Sequence, residues 1–276
     1  MSSSISGAFV YTAGMGAAGC LGLMRLNLAD GRNATNGATG IPYPWITPAV
    51  RGSMVITRGE YDRRDSISGY DCDTKAGTGF WQHPKAATPV ASSHALTKDH
   101  LLVTTLTGEL MILDLAPKSG STPFIFRTPT LRGIGSSPSV SGGSVYFGAD
   151  DGYLYVLSPG GAVPSSSAET PPVYERRSPA ATGVVKPYGW ISTAGNAANT
   201  CFVEDPSLKP PLRLRWAARG FGHFKTPCVA TEDGDLVSVT LDRTVTCMEQ
   251  ATGRMRWRMR LPPDSAGWGA SAGLLI

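Results

Sequence analysis

An aromatic residue recurs along the 276-residue chain at near-constant spacing: Trp81, Phe126, Tyr174, Trp216 and Trp257, separated by 45, 48, 42 and 41 positions. Short apolar runs and turn residues fill the intervals. A repeat of about 40–45 residues made of strands is the pattern of a propeller array, in which each small sheet is too thin to fold alone and buries its faces against its neighbours. The expected fold is therefore all-β, a β-propeller of four-stranded antiparallel blades.

The repeat is clearest from Gly133 onward. Ser137–Val140 reads as a short first strand and Gly142–Gly143 as a turn. Ser144–Ala149 and Tyr153–Leu157 read as a hairpin closed by Asp150–Asp151–Gly152, with glycine suited to a left-handed turn position. The same hairpin recurs at Leu101–Thr105 with Glu109–Leu113, and at Leu236–Thr240 with Thr244–Met248; counted from the first apolar residue (Val145, Leu101, Leu236), each second strand begins eight residues later. The entry also repeats. Thr47–Pro48–Ala49–Val50, Ser137–Pro138–Ser139–Val140 and Thr226–Pro227–Cys228–Val229 each place a hydroxyl residue and a proline ahead of a valine. Proline suits the first residue of a strand, where no ladder donor is required.

These marks divide a single domain, 1–276, into units at about 4–40, 41–86, 87–129, 130–178, 179–219 and 220–262. Unit five is the most degraded, with Thr200–Val203 and Leu212–Trp216 as its surviving strands. Residues 263–276 open a seventh unit at Trp268. On that reading the chain is part of a seven- or eight-bladed ring; the alternative is a six-bladed ring with the tail left over or swapped into the closure.

Composition narrows the function classes. The net charge of +4 is spread along the chain with no basic stripe interleaved with aromatics, which argues against nucleic-acid binding. No apolar run reaches the ~20 residues of a membrane-spanning helix. Ala17–Ala18–Gly19–Cys20 has the outline of a lipoprotein cleavage box. It lacks a preceding Lys or Arg and a leucine run, so it reads as strand and turn, and no clear signal peptide is seen. The five cysteines form no CxxC pair, and no metal site is expected. Cys228 and Cys247 fall in one repeat, as buried thiols or as a disulfide.

Two blade endings carry a family resemblance. Thr246–Cys247–Met248–Glu249–Gln250–Ala251–Thr252–Gly253–Arg254–Met255–Arg256–Trp257 resembles the repeat of the quinoprotein-type (PQQ-like) propellers, and Ser68–Thr74 through Gly79–Trp81 resembles a looser copy. The resemblance implies structural roles for Trp81, Phe126, Tyr174, Trp216, Gly253 and Trp257, with the glycine in a left-handed turn and the aromatics docking successive blades. It also implies, as the alternative, an oxidoreductase using pyrroloquinoline quinone with calcium. Such enzymes are expected to show adjacent cysteines, and none are adjacent here. No nucleophile elbow, phosphate loop or paired-histidine motif occurs either, and no catalytic residues are assigned. The resemblance to non-enzymatic members, among them the bacterial outer-membrane assembly propeller, implies a periplasmic or otherwise extracytoplasmic scaffold. Its expected partner is a protein, a small molecule or a sugar.

The loops entering the inner strands would surround the channel mouth. They carry Trp45, Arg132, Tyr188, Trp190, His223, Lys225 and Trp268, an aromatic and cationic set suited to ligand or partner binding. Between strands of unit two a polar insertion holds Arg58, Tyr61, Arg63 and Arg64, read as a recognition loop or as a solvated insertion.

Overall fold

The computed structural model describes residues 3–15, 21–34, 47–58, 67–73, 79–83, 92–116, 122–160, 194–196, 198, 200–231 and 233–262. Among them there is no helix, and all regular structure lies in five antiparallel sheets. Sheet 1 holds β1 (Ser4–Ser6), β2 (Phe9–Met15) and β3 (Leu21–Asn27). Sheet 2 holds β4 (Ala49–Arg51), β5 (Met54–Arg58), β6 (Ile67–Asp71) and β7 (Gly79–His83). Sheet 3 holds β8 (Ala95–Leu96), β9 (His100–Thr104), β10 (Glu109–Asp114) and β11 (Phe124–Arg127). Sheet 4 holds β12 (Ser139–Ser141), β13 (Ser144–Gly148), β14 (Tyr153–Pro159) and β15 (Leu212–Arg219). Sheet 5 holds β16 (Val229–Ala230), β17 (Asp235–Val239), β18 (Thr244–Glu249) and β19 (Met255–Arg260).

Each sheet is a meander from a short inner strand to an outer one, and the recurrent hairpin is its centre. The strands β9 and β10, β13 and β14, and β17 and β18 start nine residues apart in every case. The inner strands meet in chain order, β1 with β4, β4 with β8 and β12 with β16. Hydroxyl groups at or beside the inner strands tie each sheet to the next. Ser4 Oγ donates to the Pro48 carbonyl at 2.8 Å, and Ser93 Oγ accepts from the Thr47 N–H at 2.8 Å. Thr104 Oγ1 donates to the Ser136 carbonyl at 2.9 Å, and Ser139 Oγ to the Cys228 carbonyl at 2.6 Å. Small polar residues serve at this position because a buried backbone carbonyl requires a donor that a larger side chain could not bring so close. Among the described residues no strand pairing joins sheet 5 to sheet 1.

Leu212–Trp216, expected as a strand of unit five, is instead part of the fourth strand of sheet 4, paired along β14 from Tyr153↔Arg219 to Pro159↔Leu212. Tyr174, expected in that outer-strand position, lies outside the described residues. The segment 160–211 is about one repeat long. Spacing alone therefore counts it as a blade, although the strand that follows it, β15, completes the sheet that precedes it.

Thr200–Val203, the other strand expected of unit five, runs along the hub. Ile5 N–H donates to the Ala198 carbonyl at 2.7 Å, and Val50 N–H to Thr200 at 2.8 Å. Leu96 N–H donates to Cys201 at 2.7 Å, Val203 N–H returns to Leu96 at 2.9 Å, and Gly143 N–H reaches Asp205 Oδ2 at 2.8 Å. The segment thus contacts sheets 1, 2, 3 and 4 in succession, as a strap along the innermost strands. Those strands have one unpaired edge, and unpaired buried N–H groups are costly. Ala194, Cys201, Val203 and Leu208 join the main core with Leu96, Leu101 and Val140. Cys201 turns the strap with φ 51°. Cys72, Cys201, Cys228 and Cys247 are all buried free thiols.

Candidate interaction face

The loops entering sheets 4 and 5 lie at the same end as the hairpin turns. Asp150 N–H in the β13–β14 turn donates to the Gly133 carbonyl at 2.8 Å, and Gly220 N–H to Gly152 at 2.7 Å. Leu241 N–H in the β17–β18 turn donates to the His223 carbonyl at 3.0 Å, and Ile134 N–H to Thr105 at 2.8 Å. One continuous surface results, made from the turns of sheets 3, 4 and 5 and the two loops between them.

Three residues of the expected channel-mouth set fall on this surface. Arg132 is exposed on the loop before β12, and His223 and Lys225 are exposed on the loop before β16. The two loops are joined through Asp150, whose Oδ1 accepts from Lys225 Nζ at 2.8 Å. Gly135 makes room for that pair, since a Cβ there would stand 2.6 Å from the ammonium nitrogen. Trp45, Tyr188, Trp190 and Trp268 lie outside the described residues, as do Tyr61, Arg63 and Arg64. Arg58 closes β5 opposite Ile67.

The surface is held from beneath by residues that the repeat pattern did not single out. Phe224 is fully buried, and Cβ atoms at Gly148 and Gly220 would stand 2.2 and 2.5 Å from its side chain. Asp151 accepts from Thr130 Oγ1 at 2.8 Å and from Tyr155 OH at 2.7 Å; burial and then that acidic partner push the Tyr155 phenol up. At Asp242 burial raises the carboxyl. The Thr240 and Thr244 hydroxyls, the Thr244 N–H and Arg260 outweigh it, and the net shift is downward. A glycine pair such as Gly133 and Gly135 in an entry loop, followed by an acidic hairpin turn, is the sequence signal that could have located this framework. What remains presented to solvent is cationic and apolar: Arg132 beside Leu131, which is 57% exposed, and Phe221, 42% exposed, with the Arg258 guanidinium 4.7 Å from its ring centre.

The expected structural aromatics sit at sheet seams or in outer strands. Phe126 of β11 has its ring centre 6.0 Å from those of both Phe147 and Tyr155 in sheet 4. Trp216 of β15 donates from Nε1 to the Gln250 carbonyl of sheet 5 at 3.0 Å and packs on Gly253, which has φ 75°. Trp81 of β7 pairs with Gly69, and Trp257 of β19 pairs with Cys247 and is half-buried. Between sheets 1 and 2 an arginine does this work. Arg25 stacks 3.6 Å over the Phe9 ring and donates to the Cys72 carbonyl at 2.8 Å and to Asp73 at 2.6 Å.

No protein-family model matches the chain, and no curated protein matches its sequence. Among solved structures it is similar to the crystal structure of BamB from Moraxella catarrhalis, at 14% identity and a TM-score of 0.53. The match covers 92% of this chain and 58% of that one, so the chain spans little more than half the length of that structure. No helix among the described residues is long and apolar enough to cross a membrane. The likeness, at this identity, concerns the fold alone, and with the five successive sheets it puts the chain among propeller-like all-β proteins.

Proposed function

We propose that the chain is a non-catalytic propeller scaffold that binds a protein partner through the loop face of sheets 3 to 5, outside the cytoplasm of a bacterium. The observation that carries this reading is the composition of that face. Arg132, Leu131, Phe221 and Arg258 are presented to solvent from loops and strands whose backbones are fixed by buried Phe224 and by the Lys225–Asp150 pair. Arginine and aromatic side chains on a rigid support are the usual anchors of protein interfaces. The partner surface that fits is acidic with apolar side chains. The extracytoplasmic placement rests on the resemblance of the Thr246–Trp257 repeat.

The rival reading is a quinoprotein oxidoreductase holding pyrroloquinoline quinone with calcium. It has less support, because the strap residues 194–196, 198 and 200–208 already lie along the inner strands of sheets 1 to 3, where a ring-centred cofactor would need space. A quinone absorbance retained after adding cofactor and calcium would favour that rival. The test of the scaffold reading is photocrosslinking in cells from position 132 or 223, with position 252 on the opposite end as control. A single partner trapped from both loop-face positions, and lost from position 223 in R132E, supports it. Equal trapping from both ends overturns it.

A further inference from the structure

The outer strands of sheets 2, 4 and 5 each contain one β-bulge, immediately before the tryptophan. Gly69 pairs with Trp81 and Tyr70 with Gly79, which leaves Phe80 as the extra residue. Val156 pairs with Trp216 and Leu157 with Leu214, which leaves Arg215. Cys247 pairs with Trp257 and Met248 with Met255, which leaves Arg256. A bulge takes its residue out of the strand's alternation and re-aims the side chain. In sheets 4 and 5 the re-aimed residue is an arginine, and both arginines line one cleft of about 330 Å³ at the end of the molecule opposite the loop face.

The cleft spans the seam between the two sheets. Sheet 4 supplies Ser141 and Ser144 from its first hairpin together with Arg215; sheet 5 supplies Asp233, Glu249 and Arg256. Its floor is rigid. Tyr146 OH donates to Gln250 Oε1 at 3.0 Å, and Gln250 Nε2 donates to the Thr231 and Asp235 carbonyls, each at 2.9 Å. Arg256 is neutralised by Asp235 at 2.8 Å and Glu249 at 3.9 Å. Arg215 and Asp233 make no ion pair among the described residues. The cleft therefore offers a cation and hydroxyl donors on one wall and a carboxylate on the other, without bringing the two charges into contact.

We propose that this cleft binds a small zwitterion, a free α-amino acid or a short peptide, with its carboxylate on Arg215 and the serine hydroxyls and its ammonium group on Asp233. An arginine fork is matched to a carboxylate, and an ammonium group is matched to the opposite wall. The volume is at the lower end of the range for small-molecule sites, which suits a ligand of one or two residues. The site lies away from the loop face, so its failure leaves the scaffold reading untouched, and the reverse also holds.

The test is calorimetric titration of the full chain with alanine and with alanyl-alanine, alongside the N-acetylated and C-amidated forms of the dipeptide. Saturable binding of alanine assigns the site to free amino acids, and binding of the dipeptide alone assigns it to peptides. In either case R215Q and D233N should each weaken binding about tenfold, the loss of one charge-assisted hydrogen bond. Both side chains are at least partly exposed, so the melting temperature should move little. Absence of binding up to about 10 mM, a very weak affinity on any scale, overturns the proposal. So do equal binding of the blocked peptides and unchanged binding in both variants.

Discussion

The indole of Trp216 lies against Gly253 of the next sheet, so closely that a Cβ on the glycine would stand 2.7 Å from two ring carbons. The glycine also holds φ at 75°, which an L side chain resists. Sequence chemistry, turn conformation and seam packing meet at this contact. Gly253→Ala should destabilise the chain by about 1–3 kcal/mol through overpacking and backbone strain. Trp216→Ala should cost about 3–5 kcal/mol, the usual loss for a buried tryptophan. Denaturant unfolding of the two variants measures both. In Gly253→Ala, loss of the native tryptophan emission should precede loss of strand signal, since the seam opens before the sheets.

The strap yields a second prediction. The Ile5, Val50 and Leu96 N–H groups are donors to Ala198, Thr200 and Cys201 and belong to three different sheets. They should show strong hydrogen-exchange protection in the native state. Asp205→Ala removes the acceptor of the Gly143 N–H and should cost about 1–2 kcal/mol. Exchange at all three amides should then rise together, because one segment covers them. Faster exchange at Leu96 alone would mean that the sheets hold their inner edges independently.

How much of this was legible beforehand depends on the range of the interaction. The hairpins at 101–113, 145–157 and 236–248 were readable because their turn residues and alternation are local. Gly253 was readable as a turn for the same reason. The insertion at 160–211 was not, since its length matches a repeat and only the pairing of β15 with β14 reveals it. Arg25 is not legible from the repeat, because its partners Phe9 and Asp73 lie on different sheets and it stands in a third strand, whereas the described periodic aromatics stand in fourth strands. Arg132, His223 and Lys225 share one surface because loop position, which the repeat makes legible, places them there. The anchor Phe224 is not legible, because a single phenylalanine among glycines carries no period.

The buried thiols give a pH dependence. Burial pushes the Cys201, Cys228 and Cys247 thiols up to about 12 each, with Asp235 adding to the effect at Cys247. Burial likewise pushes the Tyr146 phenol up to about 12. An unfolded cysteine titrates near 8.5. These raised values stabilise the fold fully below that pH, and the contribution is lost as pH rises toward 12, where the unfolded chain gives up its protons first. The melting temperature should therefore be flat through neutrality and fall from about pH 9 upward. Cys201→Ala combined with Cys228→Ala should flatten that alkaline limb. A thiol reagent at pH 8 should label Cys72, Cys201, Cys228 and Cys247 only on unfolding.

Packing and charge contribute unequally to the loop face. The Lys225–Asp150 pair has side chains 39% and 26% exposed, so solvent and salt screen it. Lys225→Ala should cost below about 1 kcal/mol, with the difference vanishing at high ionic strength. Gly148 is different, because its missing Cβ is the space that Phe224 fills: a methyl group there would stand 2.2 Å from the phenylalanine Cβ. Gly148→Ala should cost about 1–3 kcal/mol at any salt concentration, since steric overlap is not screened. It should also displace the loop 220–225 and so reduce the binding proposed for Phe221 and His223. Thermal melts of both variants in low and high salt separate the two effects. A salt-dependent Gly148→Ala, or a Lys225→Ala as damaging as it, would show that charge rather than packing holds this face.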